Sequence, residues 1–158
     1  MDAKSRKTLV DRYKDGYRAV ADALAGAGDA DLDARPAPGT WTAREVVHHL
    51  ADSEMTSAMR LRLLLAVDGA AITGYDQDEF ARRLHYDRPI EASLEAFKAA
   101  RRTTAEILDR MTEEEWRREG THSEHGRYTV ERWLEIYATH AHQHAEQILV
   151  ARGSAKAS

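Results

Sequence analysis

The segment from Tyr128 to Arg152 carries apolar residues at the three- and four-residue spacing of an amphipathic helix. Trp133, Tyr137 and Ile148 mark the stripe that faces a core. The segment covers about seven helical turns, at ~3.6 residues per turn. We therefore expect a long helix that packs along most of its length against other helices.

Two histidines lie on the same stripe. His140 and His144 are four residues apart and project from one side of the helix, whereas His142 points elsewhere. Imidazoles on a core-facing stripe need polar partners, because burying an unsatisfied polar group costs free energy. A transition metal satisfies such a pair. The alternative is a pair of surface histidines or of hydrogen-bonded core histidines.

Three other segments show the same helical periodicity. Thr42 and Thr112 each begin a capping box, in which the side chain of Glu45 or Glu115 accepts a hydrogen bond from the backbone N–H of the threonine. Thr129 is placed to cap the last helix. No stretch reads as a convincing strand, and Gly120–Arg127 reads as a polar loop. The predicted fold is all-α, a four-helix bundle with long inter-helix connections and a single domain over residues 1–152. The predicted long helices span residues 4–26, 42–67, 90–111 and 128–152, and residues 153–158 are expected to form a flexible tail.

The composition argues against several classes of function. The net charge of -4 argues against a nucleic-acid surface, and the absence of cysteine excludes disulfides, thiolate nucleophiles and cysteine-based zinc sites. The N-terminal residues lack the apolar core of a signal peptide, and no apolar stretch is long enough to span a membrane. We expect a cytoplasmic protein that acts on a small molecule.

The second predicted helix offers a third metal ligand, either His48 or His49. His49 lies closer to the stripe that contains Leu50 and Ser53, so we favour it as the inward residue. Asp52, Gln143 and Gln147 have the helical spacing of residues that hold ligating imidazoles in place, although each is also typical of a solvated surface.

Two segments, residues 41–54 and 137–148, resemble the DinB-like superfamily, and within it the YfiT-like proteins, which are regarded as metal-dependent hydrolases. The resemblance extends over roughly residues 23–151 and includes the Tyr75-Asp76 segment and the His122–Gly126 loop, where Ser123 replaces a frequent proline. It implies a four-helix bundle, often paired as a homodimer. It also implies one divalent metal held by His49, His140 and His144.

Three imidazoles leave coordination positions open, as in catalytic zinc sites. Zinc is the first expectation and nickel the second. A metal-bound water with its pKa lowered to ~7 would serve hydrolysis, whereas a metal-activated external low-molecular-weight thiol would serve S-transfer. A non-catalytic metal- or ligand-binding stress protein is the alternative. The candidate acids and bases near the site are Asp52, Glu54, Asp76 and Tyr75, whereas His85, His122 and His125 are expected to be exposed loop histidines.

Overall fold

The computed structural model describes residues 1–154. The described chain forms four long helices, three short helices and a small sheet of three strands. In chain order the elements are α1 (Ala3–Leu24), α2 (Asp29–Asp33), α3 (Ala43–Ala66), β1 (Ala71–Ile72), α4 (Gln77–Arg83), α5 (Glu91–Leu108), α6 (Glu113–Trp116), β2 (Glu119–His122), β3 (Gly126–Thr129) and α7 (Val130–Ser154). The predicted all-α bundle is confirmed, with the sheet as an addition. Of the predicted tail, Gly153 and Ser154 continue α7, and residues 155–158 lie outside the described residues.

The four long helices do not pack in chain order. Helix α1 packs against α7 and α5, and α3 packs against the same two helices, so that α1 and α3 lie across the bundle from each other. The long connections predicted between the helices make this arrangement possible. Gly16 of α1 permits the close approach to α7, because a Cβ there would lie 2.8 Å from the Cβ of Ala141.

The predicted caps are confirmed. The backbone N–H of Glu45 donates to Thr42 Oγ1 at 3.2 Å, and Glu45 Oε2 accepts from the backbone N–H of Thr42 at 2.8 Å. The box at the start of α6 has the same form. Thr129 Oγ1 accepts from the backbone N–H of Arg132 at 3.0 Å and caps α7. These bonds fix the first turns of the helices that carry the histidines.

The prediction of a polar loop over residues 120–127 is wrong. β2 and β3 form an antiparallel hairpin, with His122 opposite Gly126, and β1 pairs in parallel with β2. The two inward residues of β2 are Gly120 and His122, so the segment lacks the alternation of apolar residues that indicates a strand. Gly120 lies so close to β1 that a Cβ would be 2.2 Å from the carbonyl oxygen of Ala70.

The core consists of two apolar clusters with a polar layer between them. One cluster surrounds Trp133 and Leu61, and the other surrounds Phe97 and Ile148. Along α3, α5 and α7 the side chains between the two clusters are Ser53, Glu54, Arg101 and His140. The polar layer continues through contacts of His140 with His49 and His144, which lie beside the second cluster. No helix within residues 1–154 has the length and apolar character required to cross a membrane.

Candidate metal centre

Three histidines from two helices meet in the polar layer. His49 of α3 faces His140 of α7 with their Nε2 atoms 3.4 Å apart, and the Nε2 atoms of His140 and His144 are 3.1 Å apart. One ring nitrogen from each histidine lies within 4.8 Å of the others. The spacing of four residues on α7 places its two rings one turn apart, where a single residue of α3 reaches both.

The structure places His49, and not His48, beside the pair on α7. His48 is fully buried on another side of α3, with Nδ1 2.8 Å from Ser93 Oγ and Nε2 2.9 Å from the carbonyl oxygen of Arg88. A carbonyl only accepts, so His48 carries its proton on Nε2 and accepts from the serine through Nδ1. His48 therefore ties α3 to the start of α5.

The orientation of the three rings is set by their neighbours. His144 Nδ1 donates to Gln147 Oε1 at 2.7 Å, which leaves the lone pair of Nε2 directed at the cluster. The indole of Trp41 packs on the His49 ring, with 4.8 Å between ring centroids. The Nδ1 atom of His49 is buried without a hydrogen-bond partner in the described part of the chain. Gln143, the other predicted partner, is exposed.

Burial keeps these imidazoles neutral. Desolvation, followed by the proximity of His144, lowers the pKa of His49 to about 3. Desolvation, followed by the neighbouring histidines and Arg101, lowers the pKa of His140 to about 2. Burial also lowers the pKa of His144. Neutral rings at neutral pH present the lone pairs that a metal requires.

The donor set fits a divalent transition metal. His140 Nε2 lies within hydrogen-bonding reach of Nε2 of both His49 and His144, and a shared N–H of His140 cannot serve both neighbours with good geometry. A single ion would accept all three lone pairs at once, and nitrogen donors are those that zinc and nickel prefer. The residues present therefore suit the group that the sequence predicts.

A pocket of about 220 Å³ opens onto this cluster. Its wall combines polar and apolar surface and is built from α3, the start of α4, the β2–β3 hairpin and α7. The lining residues are His49, Ser53, Arg60, Tyr75, Gln77, His122, Glu124, His125, Tyr128, Ile136, Tyr137 and His140. The space is large enough for a small molecule beside the histidines.

The three candidate carboxylates have other contacts and do not line the pocket. Asp52 Oδ2 accepts from the hydroxyl of Tyr86 at 2.6 Å. Glu54 is 1% exposed and forms an ion pair with Arg101. Asp76 caps α4 through two backbone N–H groups. Their roles as acids or bases remain predictions.

The hairpin supplies a pocket residue that the sequence analysis misplaced. His122 was expected to be an exposed loop histidine, but its side chain is 3% exposed; His85 and His125 are exposed as expected. His122 Nδ1 accepts from the backbone N–H of Glu124 at 3.1 Å, which places its proton on Nε2. That tautomer disfavours a second metal at the cluster of His122, Glu124 and His125.

Arg60 and Tyr137 also line the pocket, and neither is among the site residues predicted from the sequence. Arg60 Nη1 donates to the Tyr137 hydroxyl at 3.1 Å, and the guanidinium lies 5.8 Å from the centroid of the Tyr75 ring. Tyr137 precedes His140 by three residues on the same stripe, which could have identified it. Tyr75 was a candidate from the sequence and does line the pocket.

Known proteins share this arrangement of helices. YfiT from Bacillus subtilis, described as "a probable metal-dependent hydrolase with an unusual four-helix bundle topology", superposes with a TM-score of 0.87 at 26% identity, covering 94% of this chain and 86% of that chain. A protein of Oceanobacillus iheyensis named "putative metal-dependent hydrolase" is 30% identical over 88% of this chain and 81% of its own length. A relative from Geobacillus thermodenitrificans with the same name is 31% identical over 96% of this chain and 84% of its own length.

The sequence profile of the DinB superfamily matches residues 12–148, which include α3, the hairpin and the three histidines. This match and the relative from Oceanobacillus iheyensis both extend over most of the chain. The chain belongs to the DinB superfamily.

Proposed function

We propose that this protein is a metal-dependent hydrolase of small molecules, with one divalent ion held by His49, His140 and His144. The observation that carries the proposal is the meeting of three neutral imidazole Nε2 atoms at the wall of a pocket. The names of the relatives, which refer to metal-dependent hydrolysis, support the same class of reaction.

Neighbouring side chains position the rings of His144 and His49. Gln147 holds the His144 ring with its lone pair toward the cluster, and Trp41 covers one side of the His49 ring. A divalent ion bound there supplies a Lewis acid that activates water and an ester or amide carbonyl. Zinc is the first candidate and nickel the second, because both accept nitrogen donors readily.

Hydrogen-bond donors line the rest of the pocket. The Tyr137 hydroxyl accepts from Arg60, so its own proton remains available to a substrate oxygen. The hydroxyl of Tyr75 lines the same pocket, and burial raises the pKa of both phenols, which keeps them protonated at neutral pH. His122 contributes an Nε2–H from the hairpin side. These groups suit the binding of oxygen atoms on a small polar substrate.

The test is hydrolysis of a panel of small esters and amides by the protein as purified, after chelator treatment, and after return of zinc or nickel. We expect activity to disappear with the metal and to return with it. His140→Ala should be inactive, whereas His142→Ala should remain active, because His142 bonds to the carbonyl oxygen of Arg12 away from the cluster. Activity that survives complete metal removal contradicts the proposal.

The same assay separates the alternatives. Turnover that requires an added low-molecular-weight thiol would assign the protein to S-transfer, in which the chain, having no cysteine, takes its thiol from solution. Stoichiometric metal without turnover on any ester, amide or thiol substrate would favour a non-catalytic metal-binding protein.

A further inference from the structure

Arg60 brings a positive charge into the pocket that contains the histidines. Its Nη1 donates to the Tyr137 hydroxyl at 3.1 Å and its Nη2 donates to the carbonyl oxygen of Thr73 at 2.8 Å. Both acceptors are neutral, and a guanidinium has five N–H donors in all. The Nε–H is buried and has no acceptor within residues 1–154. The side chain is therefore held in place with hydrogen-bonding capacity to spare.

No carboxylate of the described chain forms an ion pair with Arg60. Arg44, on the same helix, differs in this respect, because it pairs with Asp29 and Asp33. Within residues 1–154, Glu124 is the one acidic residue in the pocket wall, and it is exposed beside Gly74. A partly buried arginine in a pocket, fixed by neutral groups alone, is suited to an anion that comes from solution.

Apart from the exposed Glu124, the titratable groups that line the pocket with Arg60 add donors and no full negative charge. Tyr75 and Tyr137 are phenols, and the ordinary pKa of ~10 for a phenol leaves both neutral at neutral pH. His122 is buried with its proton on Nε2. A divalent ion on neutral imidazoles would make the pocket still more positive. The pocket therefore favours an anionic ligand, and one planar guanidinium matches a planar carboxylate.

We propose that Arg60 binds a carboxylate group of the substrate, while the bond that reacts lies at the three-histidine end of the same pocket. The pocket volume of about 220 Å³ restricts the substrate to a small carboxylic acid derivative. The position of the reacting bond rests on the proposed function. Carboxylate binding by Arg60 does not rest on the proposed function, because it requires no metal.

The experiment compares benzoate with benzamide, which has nearly the same shape and no charge. Binding is measured by calorimetry with the metal-loaded and the chelator-treated protein. In both, benzoate should bind at least about tenfold more tightly than benzamide, as expected for a hydrogen-bonded charged group. Phenylphosphonate is the third probe, and it should bind more weakly than benzoate.

Variants assign the preference to one residue. Arg60→Gln should bring benzoate to within about twofold of benzamide, and Arg60→Lys should retain part of the preference because it keeps the charge without the planar fork. Arg62→Gln is the matched control, since Arg62 also has no carboxylate partner in the described part of the chain but bonds to Thr104 outside the pocket. Circular dichroism and the melting temperature establish that each variant is folded.

The outcomes are distinct. Equal binding of benzoate and benzamide, or a preference that persists in folded Arg60→Gln, overturns the role of Arg60. Tighter, Arg60-dependent binding of phenylphosphonate overturns the assignment to carboxylates. A protein that binds no metal but shows the Arg60-dependent preference after chelator treatment would support this inference while contradicting the metal-dependent function.

Discussion

Replacing Arg101 with methionine tests what holds the polar layer together. The guanidinium pairs with Glu54, and it donates to the carbonyl oxygens of Tyr13 at 2.7 Å and Tyr137 at 2.8 Å. The side chains of Arg101 and Glu54 are 2% and 1% exposed. The substitution leaves a buried carboxylate and two buried carbonyls without these donors. Breaking a buried ion pair by removing one partner costs ~3–5 kcal/mol.

Urea denaturation followed by circular dichroism measures this cost, and the melting temperature should fall by about 6–20 °C for a domain of this size. Arg102→Met is the matched control, because Arg102 is 81% exposed and lies 3.7 Å from Glu106; it should change the free energy of unfolding by less than ~0.5 kcal/mol. The double variant Glu54→Leu, Arg101→Met should regain part of the loss, since no charge is left unpaired. Equal effects of the Arg101 and Arg102 substitutions would refute the reasoning.

Three further predictions follow from the caps and the histidines. Thr42→Ala removes the acceptor for the backbone N–H of Glu45 and should cost about 0.5–2 kcal/mol in urea denaturation. His48→Ala breaks the contact of α3 with Ser93 and should lower the free energy of unfolding by about 1–3 kcal/mol. The metal content of the purified protein should not change, and loss of the metal would contradict the assignment of His48 as a structural residue outside the metal site. The free energy of unfolding of the chelator-treated protein should decrease as the pH falls from 7 to 5. Histidines of the unfolded chain take up protons below their ordinary pKa of 6.5, whereas buried His49 and His140, with a pKa of about 3 and about 2, do not. A free energy of unfolding that is constant over this range would contradict the neutral cluster.

Helices and caps could be predicted from the sequence because their signals are local. The four-residue spacing of His140 and His144 on an apolar stripe, and the threonine-to-glutamate spacing from Thr42, each fall within a turn or two of helix. The choice of His49 over His48 depended on small differences in helical phase, and the structure brings His49 to the pair. The predicted homodimer remains a prediction.

Pairs that are distant in sequence could not be predicted in this way. Helical spacing along α5 does not decide between Ala100 and Arg101 as the inward residue; Arg101 is the buried one, because it pairs with Glu54 on another helix. Glu54 was taken for a pocket acid for the same reason, since nothing near it in sequence reveals a buried cation. The hairpin could not be predicted from the sequence, because a strand of four residues with Gly120 and His122 inward has no apolar alternation.

Metal content is the most direct test of the central claim. Untagged protein, purified without a chelator, is analysed by inductively coupled plasma mass spectrometry beside His140→Ala and His142→Ala. We predict about one zinc or nickel ion per chain in the parent and in His142→Ala, and loss of the metal in His140→Ala, because His140 belongs to the cluster and His142 does not. A folded parent protein that holds no metal, even after incubation with zinc or nickel, would contradict the account.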